Sequence, residues 1–475
     1  MKKLTITTVI TFLASSFCVC AAQQPIEIYK EPLNKVLSKV ESTYNIKLRY
    51  DEKNIKGLDV TYATWRFTSN VENTLDNILK PLNLAYSSIG ENEYQIREYE
   101  YYRRPEAEGK KHLDELLTLY ANSDEFEKRK AELKNCILLA LGISQLNKRT
   151  VLNPVFRQKV VMKGYTVENV AFESFPGYYV TGTLYRPSGK GPFPVILCPH
   201  GHFYNEENPA IEKDSGRYRA DMQYRCAALA KMGAVVFNYD MYSWGESALQ
   251  TGGYGYHETG FSLSVQTWNS IRCLDFLLSL PNVDKTKVGV TGASGGGTQT
   301  ILLSALDGRV TASVPVVMVS SSFYGGCPCE SGLPIHDCGK KKTNNTEIAA
   351  LSAPRPQLFI SDGSDWTRSM PGTDFPYLKR VYGFYGETEN VEQVYLPNDQ
   401  HDYGLSKRIP MYRFFAKTFG LNLKAIMDKN GNIDESSIVI QPNKSMLVFG
   451  SQPLPVNAIK SHEAIVNAFK NFQSQ

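Results

Sequence analysis

The chain has almost no excess of charge of either sign. Its 52 Lys and Arg oppose 48 Asp and Glu, a formal +4 over 475 residues. That balance provides no electrostatic footprint for nucleic acid or an anionic membrane surface. Beyond the first two dozen residues there is no apolar run long enough to span a bilayer. There is no internal repeat and no low-complexity tract, which argues against solenoids, propellers and disordered arrays. Cysteine is scarce, at nine residues, and two of these, Cys18 and Cys20, lie at the extreme N-terminus. The rest are odd in number and too few for a disulfide scaffold, and they leave at least one unpaired thiol in a monomer.

What is present begins with Met1-Lys2-Lys3, an apolar run from Leu4 to Cys20, and Ala21-Ala22-Gln23. This is a basic, apolar and small-residue succession that predicts a signal peptide over 1–22 and export, most simply to a periplasm. Cys18 and Cys20 raise a lipid-anchored form as the alternative, but Phe17 and Val19 are not the small residues such processing prefers. Residues 23–98 read as a small α+β domain: a helix with Leu33, Val36, Leu37, Val40 and Tyr44 on one face, strands at 46–50 and 58–62, a helix at 71–79 and a closing strand pair at 86–97. Residues 99–124 read as a linker, although Leu113 to Leu141 is helical in pattern. Residues 125–475 alternate strands and helices, as a mostly parallel α/β sheet requires.

The strongest motif is Val288-Gly289-Val290-Thr291-Gly292-Ala293-Ser294-Gly295-Gly296, a β-branched run closing in Gly-x-Ser-x-Gly. It has the form of a nucleophile elbow. A serine hydroxyl is a poor nucleophile unless a base and backbone donors surround it. Histidine is rare, and only His336, His401 and His462 follow Ser294. His401 follows a strand-like run, Val391 to Leu396, and a short polar loop, where an α/β-hydrolase places its base. The acid should follow the preceding strand, Gln357 to Ser361. Asp365 has the better spacing and Asp362 is the runner-up, with turn capping as the alternative role for the loser. The oxyanion donors expected are the backbone N–H of Gly295 and one near His202, in the loop Pro199-His200-Gly201-His202. His200-Gly201-His202 also has the look of metal ligation, but no third ligand stands at a plausible spacing, so no metal and no cofactor are expected.

These segments, with Asp240-Met241-Tyr242-Ser243-Trp244-Gly245-Glu246-Ser247, Gly326-Cys327-Pro328-Cys329-Glu330, Ser364-Asp365-Trp366-Thr367 and His401-Asp402-Tyr403-Gly404, occur in an order that resembles the bacterial acetyl xylan esterase-like serine esterases of the α/β-hydrolase superfamily. The resemblance spans about residues 125–450. It implies Ser294 as nucleophile, Asp365 as acid, His401 as base, and hydrolysis of small esters, typically acetyl groups on sugars. Residues 23–98, with Asn45-Ile46-Lys47-Leu48-Arg49-Tyr50-Asp51, resemble the secretin and TonB short N-terminal domain, which implies a periplasmic module making protein contacts.

Several residues are candidates for substrate binding: His200, Tyr242, Trp244, Glu330 and Trp366, with Phe323 and Tyr324 as further aromatic wall. Packing is the competing role for each aromatic. Asp240 is expected to organise its own turn. Cys136, Cys198, Cys226 and Cys273 read as core. Cys327, Cys329 and Cys338 cluster in one loop, where a Cys329–Cys338 bridge is allowed and a three-thiolate metal site is the second choice. Asp428-Lys429-Asn430-Gly431-Asn432 reads as the tip of a surface hairpin within 424–450. The expected activity is therefore an exported esterase acting on a small-molecule or glycan ester. Its rivals are a uronic-acid methylesterase, with Arg368 or Lys341 as the carboxylate-holding cation, a prolyl-oligopeptidase-like peptidase, and a partner-binding protein with a vestigial hydrolase. The acyl group, the sugar, the oligomeric state and the partner of 23–98 are not legible.

Overall fold

A computed structural model describes residues 30–82, 84–98, 104–144, 149–202, 216–450 and 452–474. The signal-peptide expectation for 1–22 lies outside these residues. The chain divides into two compact units, the first comprising Met1–Leu82 with Tyr86–Ile96 and the second Asn83–Ala85 with Arg97–Gln475.

The first unit packs helix Leu33–Tyr44, with Leu33, Val36, Leu37 and Val40 buried, and helix Val71–Leu79, whose Asn70 cap accepts from Asn73 N at 2.9 Å. Tyr44, at the edge of the first face, is half-buried and pairs with Thr74 Oγ1 at 2.7 Å. Strands β1 (Lys30–Pro32) and β3 (Asp59–Thr61) pair antiparallel. Strands β2 (Lys47–Arg49), β5 (Glu93–Glu98) and β4 (Leu84–Gly90) form a three-stranded sheet in that order. The sequence pattern anticipated both helices. It did not separate the strands into two sheets, because partner choice is not a local property.

The second unit is built on a nine-stranded sheet. Its strands are β6 (Val155–Met162), β7 (Tyr165–Phe175), β8 (Tyr178–Pro187), β9 (Phe193–Leu197), β10 (Val235–Tyr239), β11 (Val283–Ala293), β12 (Ala312–Val316), β13 (Gln357–Asp362) and β14 (Val391–Leu396). The order is β14-β13-β12-β11-β9-β10-β8-β7-β6. The first six of these run parallel to one another and the last three are an antiparallel extension. Parallel strands covered on both faces read as continuous apolar runs, and β9, β10 and β12 do so. Side-chain alternation divides them: Val195 and Leu197 enter one core with helices Gly260–Ser279 and Gly295–Leu306, while Ile196 enters the other with helices Ala220–Met232 and Leu405–Phe419. The chain passes from β9 to β10 on one side and reaches β11 on the other. The crevice at the carboxyl ends of β9 and β11 is thus a topological switch point.

Three expectations need correction. The supposed linker contains helix Glu106–Leu116, and the lead-in helix is two helices, because the chain breaks at 117–122 before Asn122 caps Ser123–Ala140. Leu113, Leu116 and Tyr120 are buried in the hydrolase core. The exposed turn at 428–432 is closed as a hairpin, but the rest of 424–450 does not stay at the surface. A single bridge, Met427 to Ile433, closes the turn, after which Glu435 pairs with Arg408 and Met446, Val448 and Phe449 are buried. Lastly, Cys338 is bonded to Cys136, 202 positions away, and not to Cys329.

Candidate active site

Strand β11 delivers Ser294 into a turn with φ 54° and ψ −124°, after which the helix starts at Gly295. A side chain in this region of the backbone map is strained, and such strain concentrates at functional turns. The neighbouring glycines explain why the turn closes. A Cβ on Gly292 would stand 2.5 Å from Gly296 O and 2.7 Å from Pro199 O, and one on Gly296 would stand 2.4 Å from Pro199 O. The loop after β9 is pressed against the elbow at these two points.

His401 lies in the loop after β14 and Asp365 in the loop after β13. Their approach is close: His401 Nδ1 to Asp365 Oδ2 is 2.5 Å. The other oxygen, Asp365 Oδ1, accepts from Thr367 N and Thr367 Oγ1, each at 2.6 Å. Asp362 does something else. Its Oδ1 accepts from Ser364 N at 3.0 Å and Asp365 N at 3.2 Å, and Lys407 Nζ stands 3.4 Å from Oδ2. It shapes the turn that presents Asp365. Trp366 donates from Nε1 to Met318 O at 3.0 Å and stacks on Phe323, with its ring 4.9 Å from that of His401. His202 packs on the elbow: a Cβ on Gly295 would meet its Cε1 at 2.8 Å.

The acetyl xylan esterase family model (AXE1) matches residues 140–325. Among solved structures, "Methylesterase BT1017" is 41% identical, covers 94% of this chain and 99% of its own, and superposes with a TM-score of 0.73. A putative acetyl xylan esterase from Bacteroides fragilis is 22% identical over 59% of this chain and 77% of its own, TM-score 0.45. A glucuronoyl esterase from Solibacter usitatus is 18% identical over 64% and 94%, TM-score 0.47. The chain belongs to the acetyl xylan esterase-like family of α/β-hydrolases. It is a carboxylic ester hydrolase of the carbohydrate esterase kind.

The esterase uses several of the sequence candidates for packing. His200 is buried, receives Met241 N at Nε2 at 3.1 Å, and is pushed by burial down to about 3, so it is neutral. Tyr242 is wholly buried, with its hydroxyl 2.9 Å from His462 Nδ1. Tyr324 stacks on His336. Trp244 is buried among the rings of His200, His202 and His257. Arg368 pairs with Glu106 at 2.7 Å, and Lys341 bonds Thr118 Oγ1 at 3.0 Å.

Two clusters were missed from sequence. Arg217 is fully buried, donating to Asp240 Oδ1 at 2.8 Å and Glu246 Oε2 at 3.0 Å. Glu246 in turn accepts from the backbone of Val448, Phe449 and Gly450. Asp240 therefore anchors far more than its own turn. The second cluster overturns the idea that His202 lacks companion ligands. His257, Cys327 and Cys329 join it, and one ligand atom from each of the four lies within 4.8 Å of the others. The three residues come from two distant loops, so no spacing rule applied to His200-Gly201-His202 finds them. Cys327 is held low by a hydrogen bond from Cys329 and by His202 and His257, while burial pushes Cys329 up.

Proposed function

We propose that this esterase hydrolyses the methyl ester of a uronic acid in a glycan, through an acyl-enzyme on Ser294. Ser294 Oγ attacks the ester carbonyl and His401 takes its proton. Asp365 holds the imidazole with Nδ1–H toward itself, so Nε2 is the base. The N–H groups of Gly295 and of the His202 loop receive the oxyanion. His401 returns the proton to methanol as it leaves, and then activates the water that frees the uronate. The 2.5 Å approach of His401 to Asp365 across 36 residues is the observation that carries this assignment.

The likeness to a methylesterase over nearly both full lengths supports methyl over acetyl. A second observation favours an anionic glycan. A groove of about 410 Å³ is lined by Arg104, Lys111, Lys341 and Lys342 against Glu108 and Glu115. Arg104 lies over Tyr324, whose neighbour Phe323 stacks on Trp366 beside His401. Carboxylates along a polyuronate find cations there. The acetyl reading rests on the family model over 140–325. Export through the 1–22 leader is supported by the Cys136–Cys338 bond, which persists in oxidising compartments. The resemblance of residues 23–98 to the secretin and TonB short N-terminal domain supports a role for them in protein contact.

Methanol and acetate release are measured in parallel on methyl-esterified and on acetylated oligouronates and xylans. Methanol release abolished in Ser294→Ala is expected. Acetate release without methanol overturns the methyl assignment.

A further inference from the structure

We propose that His202, His257, Cys327 and Cys329 bind one zinc ion beside Gly295. The site is independent of which ester the enzyme cleaves.

The four side chains point at one place. His202 Nε2 is 2.7 Å from His257 Nε2 and 3.0 Å from Cys329 Sγ. His257 Nε2 is 3.3 Å from Cys329 Sγ and 3.6 Å from Cys327 Sγ. Tetrahedral zinc, with Zn–N about 2.0–2.1 Å and Zn–S about 2.3 Å, holds its ligand atoms roughly 3.3–3.8 Å apart. The shortest of these contacts are tighter than that, and all four ligand atoms lie within 4.8 Å of one another, so small side-chain shifts admit the ion.

The outer partners of the two imidazoles favour a cation over a plain hydrogen-bond cluster. A neutral imidazole has one N–H. His257 faces Tyr242 O with Nδ1 at 3.3 Å, and His202 faces Glu330 Oε1 with Nδ1 at 3.6 Å. Glu330 is buried and its Oε1 makes no hydrogen bond, so it is available to a proton on that Nδ1. If each ring turns its proton outward, two nitrogen lone pairs oppose each other at 2.7 Å beside two sulfurs. A cation removes that repulsion. Carbonyl and carboxylate partners on the outer nitrogens are the usual support of metal-ligating histidines.

The donor set selects the metal. Two thiolates and two imidazoles in compact array suit zinc, and oxygen-seeking ions lack their ligands. All four positions are supplied by protein, so the ion is structural. It ties the loop after β9, the loop of His257 and the Cys327-Pro328-Cys329 turn around the elbow. A cavity of about 10 Å³ bordered by His202, His257, Cys329 and Glu330 has room for one small occupant.

The test is elemental analysis of the full-length chain purified without chelator from zinc-supplemented medium. One equivalent of zinc per chain is expected, retained in Ser294→Ala and lost in Cys329→Ser. Cobalt(II) exchanged into the wild-type chain should give intense visible bands and a thiolate charge-transfer band. Glu330→Gln keeps the shape and should weaken zinc about 10–100-fold against a chromophoric chelator. That variant and the cobalt spectrum decide the matter if Cys329→Ser does not fold. A metal-free chain, with Cys327 and Cys329 as free thiols or joined to each other by mass spectrometry, overturns the proposal. So does another metal at one equivalent, or zinc content indifferent to Cys329→Ser.

Discussion

The α-carbon of Gly296 faces the carbonyl oxygen of Pro199 so closely that a Cβ there would lie 2.4 Å from it. The contact joins the first turn after the elbow to the loop after β9, across two neighbouring parallel strands. Gly296→Ala must therefore push backbone, which cannot swing aside as a side chain can. Overpacking of this kind costs about 1–3 kcal/mol. Displacement of the catalytic geometry by 1 Å costs about 10²-fold in rate. Thermal unfolding and steady-state kinetics of Gly296→Ala check both, and a variant with wild-type melting temperature and turnover refutes the account.

Asp365→Asn should leave the fold intact and lower kcat by about 10⁴, the loss seen when the amide selects the wrong imidazole tautomer in a serine protease triad. Asp362→Asn should act differently, since Asp362 holds the turn and faces Lys407 while Asp365 is the partner of His401. It should lower stability more than it lowers kcat at a temperature where both proteins are folded. A larger kinetic defect in Asp362→Asn than in Asp365→Asn would reverse the roles of the carboxylates.

Removing the Cys136–Cys338 bond by Cys136→Ala with Cys338→Ala should lower stability by about 2–4 kcal/mol. The loop it closes spans 202 residues, so the unfolded chain gains much freedom. Denaturant titration with and without reductant reads the same quantity in the wild type. A midpoint insensitive to reductant and to the double substitution would show that the bond contributes nothing.

Arg217→Met should be among the most damaging single changes, at about 3–5 kcal/mol, because it strands the buried carboxylates of Asp240 and Glu246. Triple replacement of Arg217, Asp240 and Glu246 by apolar residues of similar size should recover part of the loss. Chemical denaturation of the two variants makes the comparison. If the single substitution is the milder one, the network is not what holds the C-terminal segment.

Stability should fall as the solution is acidified below about pH 6.5, the ordinary histidine value. Burial pushes His336 down to about 4 while its Nε2 hydrogen-bonds Asn345 Oδ1 at 2.8 Å. Between those two values the unfolded chain binds a proton that the folded chain refuses, so stability is present above pH 6.5 and lost on going down toward 4. One such group contributes at most about 1.4 kcal/mol per pH unit. His336→Gln should flatten the melting-temperature profile in that window. An identical slope in wild type and variant would exclude His336 as a source.

The hydrolase strands and the loops that end them were legible because their signals are local. β14 spans Val391–Leu396 as its strand-like pattern suggested, and β13 runs one residue past Ser361. Chain order also pointed to His401 and Asp365, which lie 2.5 Å apart, since a parallel sheet presents successive strand ends along one edge. The misplaced readings were those that depended on partners. Tyr242 and His200 carry polar groups suited to a substrate, yet each is consumed by a buried contact with a residue from another element. Cys338 chose Cys136 over its loop neighbour, a choice that rests on which helix packs beside that loop.

By itself the sequence determined the hydrolase sheet, the glycine-lined elbow at Ser294 and the small α+β unit before it. Periodicity, turn chemistry and the intolerance of a tight turn for side chains act between residues close along the chain. Only the tertiary structure decided that Arg217 would hold Asp240 and Glu246, and that His202 would meet His257 and Cys329 from 55 and 127 positions away. Those encounters follow from the packing of loops at the carboxyl ends of β9, β10 and β12. No short-range pattern encodes them, because the geometry that joins them is set by the sheet order and not by the residues between.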